Sequence, residues 1–316
     1  MYPYFLCAAL AVCLSACGGG GTGSSSDNTS SPAATAAAAA LTAQATADNK
    51  IRLTLSGTGS TASRYCIRQD AVEPLASDAC FADSDSTLLV QEKTITPSNT
   101  QRVTFTTWRL SGNTVSRHAS VSTPGKTCSA AAYAALTAAN TTLPAVCIIT
   151  SSGESVLLLD SVKAPITAAN FLRYVNQGFY DQTVFHRFWK DSLNFVQGGG
   201  FTYDVNRVGA NRYVEKASTL TAIVLESTAA SGLSNTAGTI AMARTNDPDS
   251  ATAGFFVNTS DNDGFNSKTA RDGYAVFGRF IYGAQSWTDL LNSVSGSGLI
   301  TNPSTPVDLQ WAYQIQ

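Results

Sequence analysis

Two stretches hold the residues of this chain best equipped for chemistry. They are VFHRFWKDSLNFVQGGGF, from Val184 to Phe201, and GTIAMARTNDPDSATAGFF, from Gly238 to Phe256. Each combines an arginine, aromatic side chains and tight glycine turns. Val184, Phe185, Phe188 and Trp189 favour a β-strand around the polar pair His186 and Arg187. A strand places neighbours on opposite faces, so only one of the pair can face a shared site. Gly198, Gly199 and Gly200 must turn or bulge, since glycine accepts backbone conformations and close approaches that other residues resist.

Several chemistries are excluded. The second half of the chain has one histidine, His186, and no Gly-x-Ser-x-Gly elbow, which argues against a serine hydrolase. Asp247, Asp249, Asp261 and Asp263 lie in Asn/Asp-rich loops, where making turns is the usual work of a carboxylate. His118 has no cysteine or carboxylate pair near it and is read as structural; no metal site and no cofactor are expected. The net charge of -2, with Lys and Arg scattered, gives no footprint for nucleic acid. Gly18 to Gly21 is not a phosphate loop, because no Gly-Lys-Ser/Thr follows it.

Five runs then stand together: FHR at Phe185 to Arg187, QGGGF at Gln197 to Phe201, GTIAMA at Gly238 to Ala243, ATAGFFVN at Ala251 to Asn258 and GYAVFG at Gly273 to Gly278. In order and approximate spacing they resemble a bacterial cyclophilin, the cyclosporin-type family of peptidyl-prolyl cis-trans isomerases, over roughly Ala145 to the C-terminus. The resemblance implies a mainly β fold, a closed eight-stranded antiparallel barrel capped by two helices. The interior of such a barrel is filled with side chains, so the active site belongs on its outer surface. By the same resemblance Arg187 is the catalytic residue, and Gln197 holds its guanidinium or the substrate backbone. Phe256 is the pocket aromatic, and Phe195, Met242 and Ala243 line the pocket and its groove. Arg244 takes a place where asparagine often contacts the substrate backbone, and Tyr274 one where many relatives have histidine. Phe265 matches an apolar position beside a tryptophan associated with tight cyclosporin binding; that tryptophan is absent, so weak drug sensitivity is expected. The spacing from Arg187 to Gln197 is longer by two than the eukaryotic pattern and puts Asn194 where a pocket phenylalanine is usual, while Gly254 replaces a common glutamine.

The chemistry so implied needs no nucleophile and no acid-base pair. The barrier of about 18–20 kcal/mol to rotation comes from amide resonance. A catalyst has only to bind the twisted amide better than the planar one. That calls for an apolar grip on the proline ring and a fixed, charged donor beside the peptide bond, which an arginine supplies. The substrates are then proline-containing polypeptides. The alternative is a barrel that binds proline segments with little turnover, its partner chosen by the domain in front.

The 316-residue chain allows about two domains. Residues 1–16 are apolar and end at Leu14-Ser15-Ala16-Cys17, resembling a lipoprotein signal peptide too short to span a bilayer. That resemblance makes Cys17 the lipidated first residue of the mature chain. It implies an envelope protein that assists folding of exported proteins, held at the outer membrane and facing the periplasm. Residues 17–49 are mostly Gly, Ser, Thr and Ala, a flexible tether with a transient helix over Ala36 to Ala47. Residues 50–127 alternate at Ile51, Leu53, Leu55 and at Val103, Phe105, between turns at Gly57, Pro97 and Gly112-Asn113, and predict a small β-sandwich-like domain. Cys66, Cys80, Cys128 and Cys147 remain as an even set. Pairing Cys66 with Cys80 and Cys128 with Cys147 is the simplest of three connectivities.

Residues 128–316 form the second domain, led in by an alanine-rich helix around Ser129 to Asn140. A hairpin joins Val146–Thr150 to Ser155–Leu159. Thr167 is expected to cap a helix carrying Ala168, Phe171, Leu172 and Val175. Trp287, Leu290, Leu291 and Val294 mark a second helix. Val307, Leu309, Trp311, Tyr313 and Ile315 alternate as a closing strand with one buried face.

Overall fold

The computed structural model describes residues 40–56, 64–69, 71–75, 77, 80–82, 88–269 and 271–316. The expected leader, Cys17 and the start of the tether lie outside them. In the front part are β1 (Ala40–Thr46), β2 (Lys50–Ser56), β3 (Arg64–Gln69), β4 (Phe81–Ala82), β5 (Leu88–Thr94), β6 (Val103–Ser111) and β7 (Thr114–Thr123). They form two antiparallel sheets, ordered β1-β2-β5 and β4-β3-β6-β7. Here one expectation is corrected: Ala40–Thr46, read by composition as tether and transient helix, is a strand paired residue for residue with β2. Its small side chains suffice because Leu41 and Ala45 reach the same cluster as Ile51, Leu53 and Leu55.

Helix α1 (Ala130–Ala139) leads to β8 (Ala145–Thr150), β9 (Gly153–Leu159), α2 (Pro165–Asn176), β10 (Thr183–Phe185), β11 (Arg187–Lys190) and β12 (Asn194–Gly198). After the hairpin of β13 (Phe201–Tyr203) and β14 (Tyr213–Glu215) and the single turn α3 (Thr228–Ser231) come β15 (Thr239–Met242), β16 (Phe255–Asn258) and β17 (Val276–Tyr282). Helix α4 (Ala284–Ser293), β18 (Gly298–Thr301) and β19 (Val307–Gln314) complete the chain. Ten of these strands form one curled antiparallel sheet, ordered β10-β19-β8-β9-β17-β15-β16-β12-β11-β18.

The concave side of that sheet holds the larger core. Val146, Ile148, Leu157, Phe188, Val196, Ile240, Phe255 and Val257 meet there with Phe171 and Tyr174 of α2 and Trp287 and Leu290 of α4. The opposite faces of β8, β9 and β19 are buried too. Cys147, Ile149, Val156, Leu158, Trp311 and Tyr313 share a second cluster with Leu53, Tyr65 and Phe105 of the front sheets and Leu136 of α1. This is why β8 reads as a continuous apolar run: both of its faces are covered. The β19 pattern is corrected accordingly. A bulge between Leu309 and Trp311 shifts the alternation, so Val307 and Leu309 enter the first core while Trp311, Tyr313 and Ile315 enter the second.

The seam between front and back is also tied by polar bonds. Arg102 pairs with Asp181, Gln182 Nε2 donates to Asn99 O at 2.6 Å and Trp311 Nε1 to Ser98 O at 2.9 Å. The disulfide Cys128–Cys147 joins the residue before the Ser129 N-cap of α1 to the middle of β8, with Cα atoms 6.3 Å apart; Cys66–Cys80 is the other bridge. Thr167 is not the cap of α2. The helix starts at Pro165, and the Glu226 carboxylate accepts from Ile166 N at 3.1 Å and Thr167 N at 2.8 Å, so the capping group comes from a segment about sixty residues away.

Candidate active site

Register decides which side chains share a face. Arg187 of β11 lies opposite Gln197 of β12, Gln197 opposite Phe256 of β16, and Phe256 opposite Ala241 of β15. Directly paired residues project from the same side, so Arg187, Gln197 and Phe256 form one row across three strands. Two residues along, Trp189, Phe195 and Asn258 form a second row on that side. Phe188, Val196, Val257 and Phe255 point the other way, into the first core. The site is therefore on the convex face, and His186 does not share it. Its imidazole lies against Phe201, ring centres 4.2 Å apart, with Nδ1 buried and unpartnered among the described residues.

Aromatic rings build the pocket beside this row. Phe256 packs against Phe195 at 5.6 Å, Phe265 at 5.3 Å and Tyr274 at 5.3 Å, and Phe265 meets Tyr274 at 5.1 Å. Ala241 and Val276 form the buried floor, and Ala243 and Leu233 pack at the edge. Arg187 and Gln197 are half-buried, and no hydrogen bond joins their side chains. Burial, and then the nearby Arg187 charge, push the His186 imidazole down to about 4, so this neighbour is neutral and adds no second charge beside the guanidinium.

Phe195, Gln197, Ala243, Phe256, Phe265 and Tyr274 are thus gathered on the Arg187 face. Met242 is not: it pairs with Phe255 and points into the first core, 1% exposed, because it stands one residue from Ala241 on a strand whose faces alternate. The Arg244 guanidinium lies at the Tyr274 end of the pocket, where Nε and Nη2 donate to Gly273 O at 3.0 and 2.8 Å and Nη1 to Thr245 O at 2.8 Å.

Phe195 is two residues from Gln197 and shares its face, while Asn194 joins an asparagine network. Asn262 Oδ1 accepts from Asn194 N at 3.1 Å, and Asn262 Nδ2 donates to Asn194 O at 3.0 Å and to buried Asn258 at 2.7 Å. Two contributors were missed in the sequence. Trp189, 6.1 Å from Phe195, extends the aromatic wall, and alternation from Arg187 was the signal for it. Asn258, bonded to Asn235 and Thr239, holds the far end of the row, and alternation from Phe256 was the signal for it.

Glycines let the strands approach. A Cβ on Gly198 would come within 2.6 Å of the Phe185 ring, and Gly199 has φ +87° with Ala253 O only 2.7 Å from where its Cβ would be. The acidic loops serve the backbone: Asp247 accepts from Asp249 N at 3.0 Å and Asp261 from Ala237 N at 2.9 Å.

Comparison with known proteins converges on this half of the chain. The family model for cyclophilin type peptidyl-prolyl cis-trans isomerase/CLD matches residues 145–309. A peptidyl-prolyl cis-trans isomerase of Streptomyces antibioticus is 47% identical over 150 residues, 46% of this chain and 80% of that one. Peptidyl-prolyl cis-trans isomerase A of Dickeya dadantii is 41% identical over 178 residues, 55% of this chain and 86% of that one. Among solved structures, a cyclophilin type isomerase of Cryptosporidium parvum, crystallised in the presence of the dipeptide Ala-Pro, is 23% identical with a TM-score of 0.41, covering 54% of this chain and 97% of that one.

Proposed function

The chain belongs to the cyclophilin family of peptidyl-prolyl cis-trans isomerases, and on that premise we propose that its Arg187 face accelerates Xaa-Pro isomerisation by holding the twisted amide. The observation that carries this reading is the register of Arg187, Gln197 and Phe256 in one row beside the aromatic pocket. A proline ring seats against Phe195, Phe256 and Phe265. The guanidinium, bound to no described side chain, donates to the prolyl nitrogen as resonance is lost and that atom gains a lone pair. Gln197 takes the substrate backbone, since it makes no bond to Arg187. No covalent bond forms or breaks. The differential stabilisation comes from a donor fixed in place before the amide twists.

The curled sheet is read as a closed eight-stranded barrel. His186 alone separates β10, paired with β19, from β11, paired with β12, and His186 N donates to Gln197 O at 3.1 Å. With residues 183–190 as one strand and β18 as an added edge, the ten segments reduce to eight. The two front sheets, sharing one apolar cluster, support the sandwich-like reading. The leader ending at Cys17 and two disulfides in the described residues support an oxidising envelope compartment, with the lipid at the outer membrane and exported, proline-containing polypeptides as clients. Gly264 beside Phe265 supports weak cyclosporin binding, because no large ring flanks the pocket there.

Refolding of a proline-limited test protein checks the central role. The wild-type chain should speed the slow phase, and Arg187→Ala should lose most of that effect, about a hundredfold in kcat/KM. An unchanged rate in the variant removes Arg187 from the mechanism.

A further inference from the structure

Resting on the isomerase reading of the same pocket, we infer that Arg244 is a positioning residue that locks Tyr274 as the pocket wall, rather than a contact to the substrate. Three of its N–H groups are directed at backbone carbonyls: two at Gly273 O and one at Thr245 O. The guanidinium lies over the Tyr274 ring, 5.0 Å from its centre, and that ring stands edge-on to both Phe256 and Phe265. One planar group therefore stacks on the wall residue and ties the end of β15 to the loop that carries the wall.

Both anchors are fixed acceptors. Gly273 has φ +72°, and a Cβ there would fall 2.6 Å from Ser267 N and 2.8 Å from Phe265 O; Tyr274 N donates to Phe265 O at 3.0 Å. On the other side, Thr245 N donates to Ser250 Oγ at 3.0 Å. Arg271 Nη2 reaches Asp249 Oδ2 at 3.0 Å and bridges the same two loops a second time, at the solvent-exposed rim. Only a planar fork can meet Gly273 O and Thr245 O while its charge stays over the ring, so a lysine cannot replace it.

The test is a double-mutant cycle in the full chain with a short Ala-Pro peptide, reading KM and kcat separately. Arg244→Ala should raise KM about five- to tenfold with kcat changed less than twofold, and Arg244→Lys should show most of that rise. In a Tyr274→Ala background the Arg244→Ala effect should disappear, because Arg244 acts through that ring. Additive effects of the two substitutions, or full activity in Arg244→Lys, overturn the inference. Arg187→Ala, run in parallel, reports on the site itself. If that variant keeps its activity while the cycle is non-additive, the mechanism of Arg187 fails and the role of Arg244 stands; a normal Arg187 response with an additive cycle removes the role of Arg244 alone.

Discussion

Arg187 works beside a histidine that burial keeps neutral, and this sets the pH behaviour of the site. In the folded chain His186 is pushed from its ordinary 6.5 down to about 4, chiefly by burial and then by the Arg187 charge. Between those values the unfolded chain binds a proton that the folded chain does not. The contribution of His186 is therefore fully present above about 6.5 and is lost as pH falls towards 4. Urea unfolding at a series of pH values should show stability climbing from pH 4 to 6.5 and levelling off above. Isomerisation should be flat from pH 6.5 to 8, since His186 stays neutral there; a rate that titrates with a midpoint near 6.5 contradicts the buried, neutral imidazole. At this scale most of the site was legible, because FHR, QGGGF and ATAGFFVN carry Arg187, Gln197 and Phe256 in fixed relation. Met242 was misplaced for a physical reason: adjacent residues of one motif occupy opposite faces of a strand, and a motif does not say which face is outside.

Among the elements, β12 and β16 matter most, since they set the row. Their approach depends on Gly199, where a side chain would meet Ala253 O and the Phe255 ring in a backbone conformation that disfavours it. Gly199→Ala should cost about 1–3 kcal/mol of stability, measured by urea unfolding. Gly254 differs in kind. A Cβ there would sit 3.5 Å from Ala243 Cβ, an ordinary contact, so the backbone does not require glycine. Gly254→Gln should leave the melting temperature within about two degrees and lower KM by adding a polar substrate contact; a destabilised or weaker-binding variant contradicts this. Helix periodicity placed α2 and α4 on the right residues, but the cap of α2 was illegible because Glu226 supplies it through the tertiary fold. The β19 bulge was hidden likewise: strict alternation in sequence looks the same whether one core or two receive the side chains.

On the scale of the whole molecule, the front sheets are a cover and not an appended module. Trp311, Tyr313, Ile149 and Leu158 have their apolar faces in the cluster shared with Leu53, Tyr65 and Phe105, and Arg102–Asp181 and Trp311–Ser98 bonds cross that seam. Composition predicted the boundary near residue 127 but could not show that the outer face of the curled sheet is covered by what precedes it. Deleting residues 40–125 should expose these side chains, lower the melting temperature by more than ten degrees and promote aggregation. A truncated chain as stable as the full one would show that the two parts stand independently.

The most direct test uses the full chain for that reason. Exchange between cis and trans forms of a short Ala-Pro peptide, followed by NMR, reports turnover at the proline amide with no coupled step. Wild-type protein should broaden and merge the two sets of peptide signals, and Arg187→Ala, equally folded, should leave them sharp. Peptide shifts on binding with no acceleration by the wild type would mean that the pocket recognises proline without turning it over, and would contradict the account of Arg187.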